Sequence, residues 1–236
     1  MIIGRGLVAT AFARDWQHDQ ATVIVAAGVS NSAETDPAAF EREGRLVDEV
    51  FATPSAQCVV YFGSCAVGNP AERQTAYLQH KARMEERVLD DPRGRVFRLP
   101  QVVGEGGNPH TLTNFLRTRI ESGQSFDVWA RAERNLIDIA DVGAIGSHVL
   151  RQPGDFPRLM SLADIRSTNM LDIVHGMERV LDRRGTYRIL EQGVPFPIET
   201  ADCERAAIAC GIRLGDGYLH ALLRKYYGGP GSRAAS

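Results

Sequence analysis

Short continuous apolar runs alternate along this chain with longer stretches in which apolar residues return every three or four positions. Runs of the first kind read as strands buried on both faces, and stretches of the second kind as amphipathic helices. Met1–Ile3 starts a strand, and a helix follows from Gly6 to about Trp16 with Leu7, Val8, Ala11 and Phe12 apolar. "ATVIVAA" (Ala21–Ala27) is a buried strand. Asp36-Pro37 supplies an N-cap and a proline at the first helical position. That helix runs to about Phe51 with Phe40, Val47 and Val50 inward. "CVVYF" (Cys58–Phe62) is the next strand, Asn69-Pro70 with Glu72 opens a third helix, and "RVFRL" (Arg95–Leu99) is a strand again. Strands alternating with helices predict an α/β fold with a parallel, doubly wound sheet.

Beyond Pro100 the alternation loosens. "VVGEGGNP" reads as a glycine-rich loop. Leu112–Glu121, Asp141–Leu150 and Leu171–Leu181 read as helices, and Phe126–Trp129, Asn135–Ile139 and Tyr187–Leu190 as short strands. Two helices, at about 202–210 and 216–227, precede a disordered tail at 228–236. One domain over 1–227 is expected. Its sheet comes from about 1–103 plus returning segments at about 135–165, and a small C-terminal α+β lobe comes from about 104–134 and 166–227.

Composition changes this picture little: 44% hydrophobic, 24% charged and a net charge of −2 are ordinary for a globular protein. No basic stripe argues for nucleic acid, no apolar run is long enough for a membrane helix, and the N-terminus lacks a signal-peptide layout, so a cytoplasmic location is expected. Cys58, Cys65, Cys203 and Cys210 form no C-x-x-C pair and the histidines no ligand spacing, so reduced thiols and no metal site are expected.

Chemistry enters at the first turn. Gly4-Arg5-Gly6-Leu7-Val8-Ala9 is a G-x-G-x-x-A between strand and helix. Gly4 makes the tight turn, Gly6 admits a pyrophosphate close to the backbone, and Ala9 lets helix and strand touch. The helix N-terminus then offers N–H groups to the anion. Such a dinucleotide site also wants an acidic residue after the second strand to hold a ribose. Here "ATVIVAA" runs into "GVSNS" instead. Either this is the second strand, with Ser30, Asn31 and Ser32 meeting the ribose, or a strand-helix-strand unit is missing and the strand lies beside the pyrophosphate. Arg5 is either a surface arginine or a partner for a 2′-phosphate, and the latter favours NADP over NAD.

Tyr77 and Lys81 stand four apart on one helix face that Met84 and Val88 continue inward. Lys81 and Lys225 are the only lysines among 27 basic residues, so a lysine on a buried face is unusual. A chance Tyr-x-x-x-Lys is expected about 0.05 times in such a chain. A compact ammonium can fork to a ribose and draw a neighbouring phenol toward phenolate, making Tyr77 a proton donor and acceptor. Ser64, ending the preceding strand, can hydrogen-bond a substrate carbonyl. The structural alternative is a packed tyrosine beside a snorkelling lysine.

Taken together, the Gly4–Ala9 turn, "VAAGVSNS", "VVYFGSCAV", Tyr77-x-x-x-Lys81, "FRLPQVVGEGGNP" and "RNLIDIADVG" resemble the extended short-chain dehydrogenase/reductase superfamily, in particular its nucleotide-sugar epimerases, dehydratases and ketoreductases. The resemblance implies a Rossmann fold, a bound NAD(P) and a Ser64, Tyr77, Lys81 triad. It puts Ala26, Ala27 and Gly28 along the cofactor. Pro100–Val103 falls under the nicotinamide, with Gln101 facing substrate where the family often has Asn. Arg134 falls on the nucleotide diphosphate of the substrate, unless it is a surface ion pair. Cys65 and His110 fall near the acid/base pair of GDP-fucose synthase-like members, Cys65 one place early; a buried thiol and a loop histidine are the alternative. The resemblance also implies a homodimer through the Tyr/Lys helix.

Against that pattern, the second and third strands are missing, the loop between Ser64 and Tyr77 is short, and the C-terminal lobe is small. The expected function is an NAD(P)-dependent oxidoreductase or epimerase on a nucleotide-activated sugar. The alternatives are a non-catalytic dinucleotide sensor or scaffold of the same fold, and a reductase of a small carbonyl compound.

Overall fold

A computed structural model describes residues 1–70, 74–106 and 111–229. His110 and Glu72, both singled out from the sequence, lie outside these residues, as does most of the tail. The order of elements is β1 (Ile2–Ile3), α1 (Leu7–Trp16), β2 (Thr22–Val25), α2 (Pro37–Phe51), β3 (Cys58–Ser64), a 3-10 turn (Cys65–Gly68), α3 (Ala76–Asp90), β4 (Gly94–Leu99), β5 (Gln101–Val103), α4 (Leu112–Ser122), β6 (Phe126–Trp129), β7 (Glu133–Arg134), β8 (Leu136–Asp138), α5 (Ile139–Arg151), β9 (Leu159–Ser161), β10 (Thr168–Asn169), α6 (Met170–Leu181), β11 (Tyr187–Leu190), α7 (Ala201–Ala209) and α8 (Tyr218–Tyr227).

The central sheet is parallel throughout, in the order β1-β2-β3-β4-β9. All four residues of β2 are buried, which is why this strand reads as an unbroken apolar run. Its odd residues Val23 and Val25 face Val47 and Val50 of α2 and Met84 and Val88 of α3. Its even residue Ile24 shares a second core with Phe12 and Trp16 of α1 and with Val142, Ile145 and Val149 of α5. Helices therefore cover both faces, as the alternating pattern predicts.

The strand order departs from a doubly wound sheet. A reversal at β1 would put a strand on its far side, but β4 pairs with β3, and among the described residues β1 pairs only with β2. With α1 and α2 on opposite faces and β1, β2 and β3 running in one direction across the sheet, the β1-α1-β2 and β2-α2-β3 crossovers have opposite hands. Crossovers of one hand dominate parallel sheets, so the first unit is topologically unusual.

The second core is continuous into the C-terminal lobe, where Leu116, Phe126, Ile173, Met177 and Leu223 join it. In the lobe β6 pairs with β11 in parallel and β7 with β10 antiparallel, while β5 pairs with β8 below them. Three sequence expectations change. "VVGEGGNP" begins as strand, because Val102 and Val103 pair with β8. β9 lies outside the strands the apolar pattern predicts, because only its central Met160 is buried. The helix carrying Tyr77 starts at Ala76, capped by Thr75 Oγ1 accepting from the Leu78 N–H at 3.2 Å. Asn69, expected as its cap, is buried and donates to the Pro195 carbonyl at 3.1 Å.

Candidate active site

The parallel strands β1, β2 and β3 end on the same side of the sheet, where β1 runs into the Gly4–Ala9 turn and the end of β2 touches it. Gly4 has φ +132°, and a Cβ there would lie 2.4 Å from the Ala26 carbonyl oxygen. Glycine is therefore obligatory where the turn touches the end of β2. Gly6 precedes α1 with extended backbone and no side-chain cap, and a Cβ on it would meet open space. The first N–H groups of α1 are thus left to an outside acceptor, with room for one to approach. Ala9 is buried, and Arg5 is exposed in the turn. This cradle fits a pyrophosphate. Ala26, Ala27 and Gly28 continue from it. Beyond them a cleft of about 360 Å³ opens between loop 27–31 and α2, with Asn31 and Arg42 on its walls and Glu43 at its inner end.

Ser64 ends β3 and caps the 3-10 turn, its Oγ accepting from the Ala66 N–H at 3.3 Å. Tyr77, on the first turn of α3, is buried, and Ser64 is near enough to pull its pKa down. Lys81 stands one turn further on, its ammonium 5.9 Å from the centre of the Tyr77 ring. The structure thus brings Ser64, Tyr77 and Lys81 together at the sheet end that carries the glycine turn.

The electrostatics differ from the sequence expectation. Lys81 is 3% exposed, and its Nζ donates to Glu43 Oε1 at 3.0 Å, Tyr61 Oη at 2.9 Å and the Phe62 carbonyl at 3.4 Å. Burial pulls the ammonium pKa down and Glu43 works against it. Tyr77 is not drawn toward phenolate. Burial first, then the Glu43 charge, push its hydroxyl up to about 12 against the opposing pull of Ser64. Two buried carboxylates, Glu43 and Glu85, add to the effect of burial, so the ammonium nearby does not prevail.

Glu43 is the centre of this network. Oε1 also accepts from Tyr61 Oη at 2.7 Å, while Oε2 accepts from the Val29 N–H at 2.8 Å and lies 2.9 Å from His80 Nε2. Burial alone would raise the carboxyl, but Lys81, the Val29 N–H, Tyr61 and His80 hold it below its ordinary value. Phe40 stacks on the His80 ring at 4.5 Å. A second buried carboxylate, Glu85, takes Arg98 Nη2 at 2.6 Å and Nε at 2.9 Å. Burial raises it and Arg98 opposes the rise. Both carboxylates stand against glycines: a Cβ on Gly28 would come within 2.3 Å of Glu43 Oε1, and one on Gly63 within 2.1 Å of Glu85 Oε1. Sequence reasoning missed Glu43, Tyr61, His80 and Glu85. A signal existed, because Glu43 falls on the same stripe as Phe40, Val47 and Val50, and Glu85 one turn after Lys81.

The remaining candidates scatter. Pro100 and Gln101 lead into β5, where Gln101 is exposed and Val103 buried. Arg134, on β7, is partly buried, and its Nη1 donates to the Glu133 carbonyl at 2.7 Å; among the described residues it forms no salt bridge. Cys65 does not line that cleft. It is buried with Ala163 and Phe196, and burial pushes its thiol up to about 12. No described helix is long and apolar enough to cross a membrane.

Solved structures with this fold include UDP-glucose 4-epimerase from Brucella ovis in complex with NAD (TM-score 0.69, 18% identity, 95% of this chain and 83% of that one). dTDP-glucose 4,6-dehydratase from Bacillus anthracis in complex with NAD matches with TM-score 0.66 and 13% identity over 88% of this chain and 73% of that one. RMD from Pseudomonas aeruginosa complexed with NADPH matches with TM-score 0.68 and 15% identity over 95% and 87%. No family model and no curated relative matches the chain. Across most of its length, and at low sequence identity, this chain has the fold of the NAD-dependent epimerase/dehydratase family that its sequence resembles.

Proposed function

We propose that this protein is an NAD(P)-dependent oxidoreductase or epimerase acting on a nucleotide-activated sugar, most simply at a 4-keto group. The observation that carries this reading is the gathering of Ser64, Tyr77 and Lys81 at the end of β3, with the Lys81 ammonium 5.9 Å from the Tyr77 ring, beside a glycine turn built for a pyrophosphate. A bound dinucleotide supplies hydride. The Gly4–Ala9 turn and the α1 N-terminus would hold its pyrophosphate, Ala26–Gly28 and Lys81 its nicotinamide ribose, and Pro100 and Val103 its nicotinamide. Ser64 Oγ orients the substrate carbonyl, and Tyr77 Oη gives or takes the proton. Gln101 faces the sugar, and Arg134, which pairs with no carboxylate among the described residues, holds its diphosphate. His110 lies outside the described residues and has no role in this scheme, and neither does Cys65.

The sheet ending at β1, with its unusual first crossover, supports a shortened Rossmann fold from which a strand-helix-strand unit is missing. The adenosine end of the dinucleotide then has no acidic ribose partner. Arg5 in the turn favours NADP. The short lobe and the family's habit both support a homodimer through α3. Mass-spectrometric turnover of dTDP-, UDP- and GDP-4-keto-6-deoxy sugars with NADPH and NADH tests the reading. Dinucleotide binding without turnover of any of them sinks the catalytic part.

The second reading, a dinucleotide-binding sensor or scaffold, draws on the Glu43–Lys81 contact, which uses the lysine inside the protein. Tyr77→Phe separates the two. If it leaves every activity unchanged, the sensor reading gains.

A further inference from the structure

Lys81 has three N–H donors, and a ribose diol would take two of them. In this structure all three point at protein acceptors: Glu43, Tyr61 and the Phe62 carbonyl. The strongest of these is the carboxylate, which is ionic and 1% exposed at its side chain. The pair is not remote from the cleft. A Cβ on Gly28 would come within 2.3 Å of Glu43 Oε1 and 3.1 Å of Lys81 Nζ, so only the bare backbone of Gly28 separates the ion pair from the groove wall. The same carboxylate holds the next residue of that wall through the Val29 N–H at 2.8 Å.

We infer that Glu43 is a positioning residue that competes with the nicotinamide ribose for Lys81. The inference rests on the dinucleotide reading above and deepens it. Lys81 meets a ribose only by turning its donors away from Glu43. The Phe62 carbonyl, at 3.4 Å, is released first, and the charge-assisted contact to Glu43 second. Glu43 stays satisfied while this happens, because Tyr61, Val29 and His80 keep three of its four contacts. Tyr61 Oη, which accepts from Lys81 and donates to Glu43, is the pivot of the exchange. The device weakens dinucleotide binding at its nicotinamide end and leaves the phosphate turn untouched.

Three probes test it by calorimetric titration on wild type and Glu43→Gln: NADPH, NADH and ADP. ADP reaches the phosphate turn and carries no nicotinamide ribose. Glu43→Gln weakens the competitor and is expected to tighten the reduced dinucleotides roughly ten- to a hundredfold, with ADP unchanged. In a Lys81→Met background the Glu43→Gln effect vanishes, because the contested donor is gone. Should Glu43→Gln fail to fold, Glu43→Asp keeps the charge but withdraws it by one methylene, and it is expected to tighten NADPH in the same direction. Unchanged or weakened NADPH binding in the folded variant overturns the inference while the dinucleotide reading stands. An equal shift in ADP also overturns it, since Glu43 would then act only through the loop at Val29. If neither protein binds any of the three probes, the dinucleotide reading fails and this inference with it.

Discussion

The Glu43–Lys81 pair makes a stability prediction that needs no ligand. Their side chains are 1% and 4% exposed and 3.0 Å apart. Opposite unit charges at that distance attract by about 5.5 kcal/mol at an effective dielectric constant of about 20. Desolvation offsets much of this in the intact pair, but removing one partner strands the other. Lys81→Met and Glu43→Gln should each destabilise the protein by about 3–5 kcal/mol. For a chain of this size that lowers the thermal midpoint by about 6–20 °C. The double variant leaves no buried charge stranded and should lose less than the worse single variant. Urea denaturation read by circular dichroism gives all four free energies.

The pH dependence carries a sign. In wild type the folded Glu43 carboxyl lies below its unfolded value. Its contribution is complete above the unfolded value and is lost as pH falls through the folded one. In Lys81→Met, burial acts without the lysine, the folded value rises above the unfolded one, and the deficit narrows on acidification. Additive single losses in the double variant, or a Lys81→Met deficit that ignores pH, would refute the pairing.

With its hydroxyl pushed up to about 12, Tyr77 stays protonated through the neutral range. Carbonyl reduction should be flat from about pH 6 to about pH 9, while alcohol oxidation, which needs phenolate, climbs about tenfold per unit; stopped-flow absorbance of the nicotinamide reads both. Tyr77→Phe should cut turnover by about 10²–10⁴-fold and spare NADPH affinity. Gly4→Ala, at φ +132° and against the Ala26 carbonyl, should cost about 1–3 kcal/mol or more and remove ADP binding, by the same urea titration and by calorimetry. Cys65→Ala should leave turnover within about twofold, and iodoacetamide should label Cys65 only on unfolding, because its thiol is buried and held protonated.

Much of this protein is written in local pattern. The unbroken apolar run of β2, the Asp36-Pro37 cap of α2 and the Tyr77-to-Val88 stripe of α3 each follow from residues a few positions apart, so the α/β class and the meeting of Ser64, Tyr77 and Lys81 are legible in the chain. The glycine turn is legible for the same reason, since one strand, one tight turn and one helix start make it. β5, β9 and the late start of α3 are not local. They depend on what Val102, Met160 and Asn69 meet across the fold.

The strand order is likewise a tertiary outcome. The missing acid after "ATVIVAA" leaves two topologies open, and the support for the shortened one comes from the pairing of β4 with β3, which no local pattern announces. The largest difference is electrical. Tyr77 and Lys81 determine by themselves that a phenol and an ammonium share a helix face. Whether that ammonium acts on the phenol depends on a carboxylate 38 positions away in the chain, brought within 3.0 Å by the packing of α2 on α3. Charges act through space, and in a dry interior the nearest opposite charge governs. The sequence set out the groups of this site, and the fold chose which of them face each other.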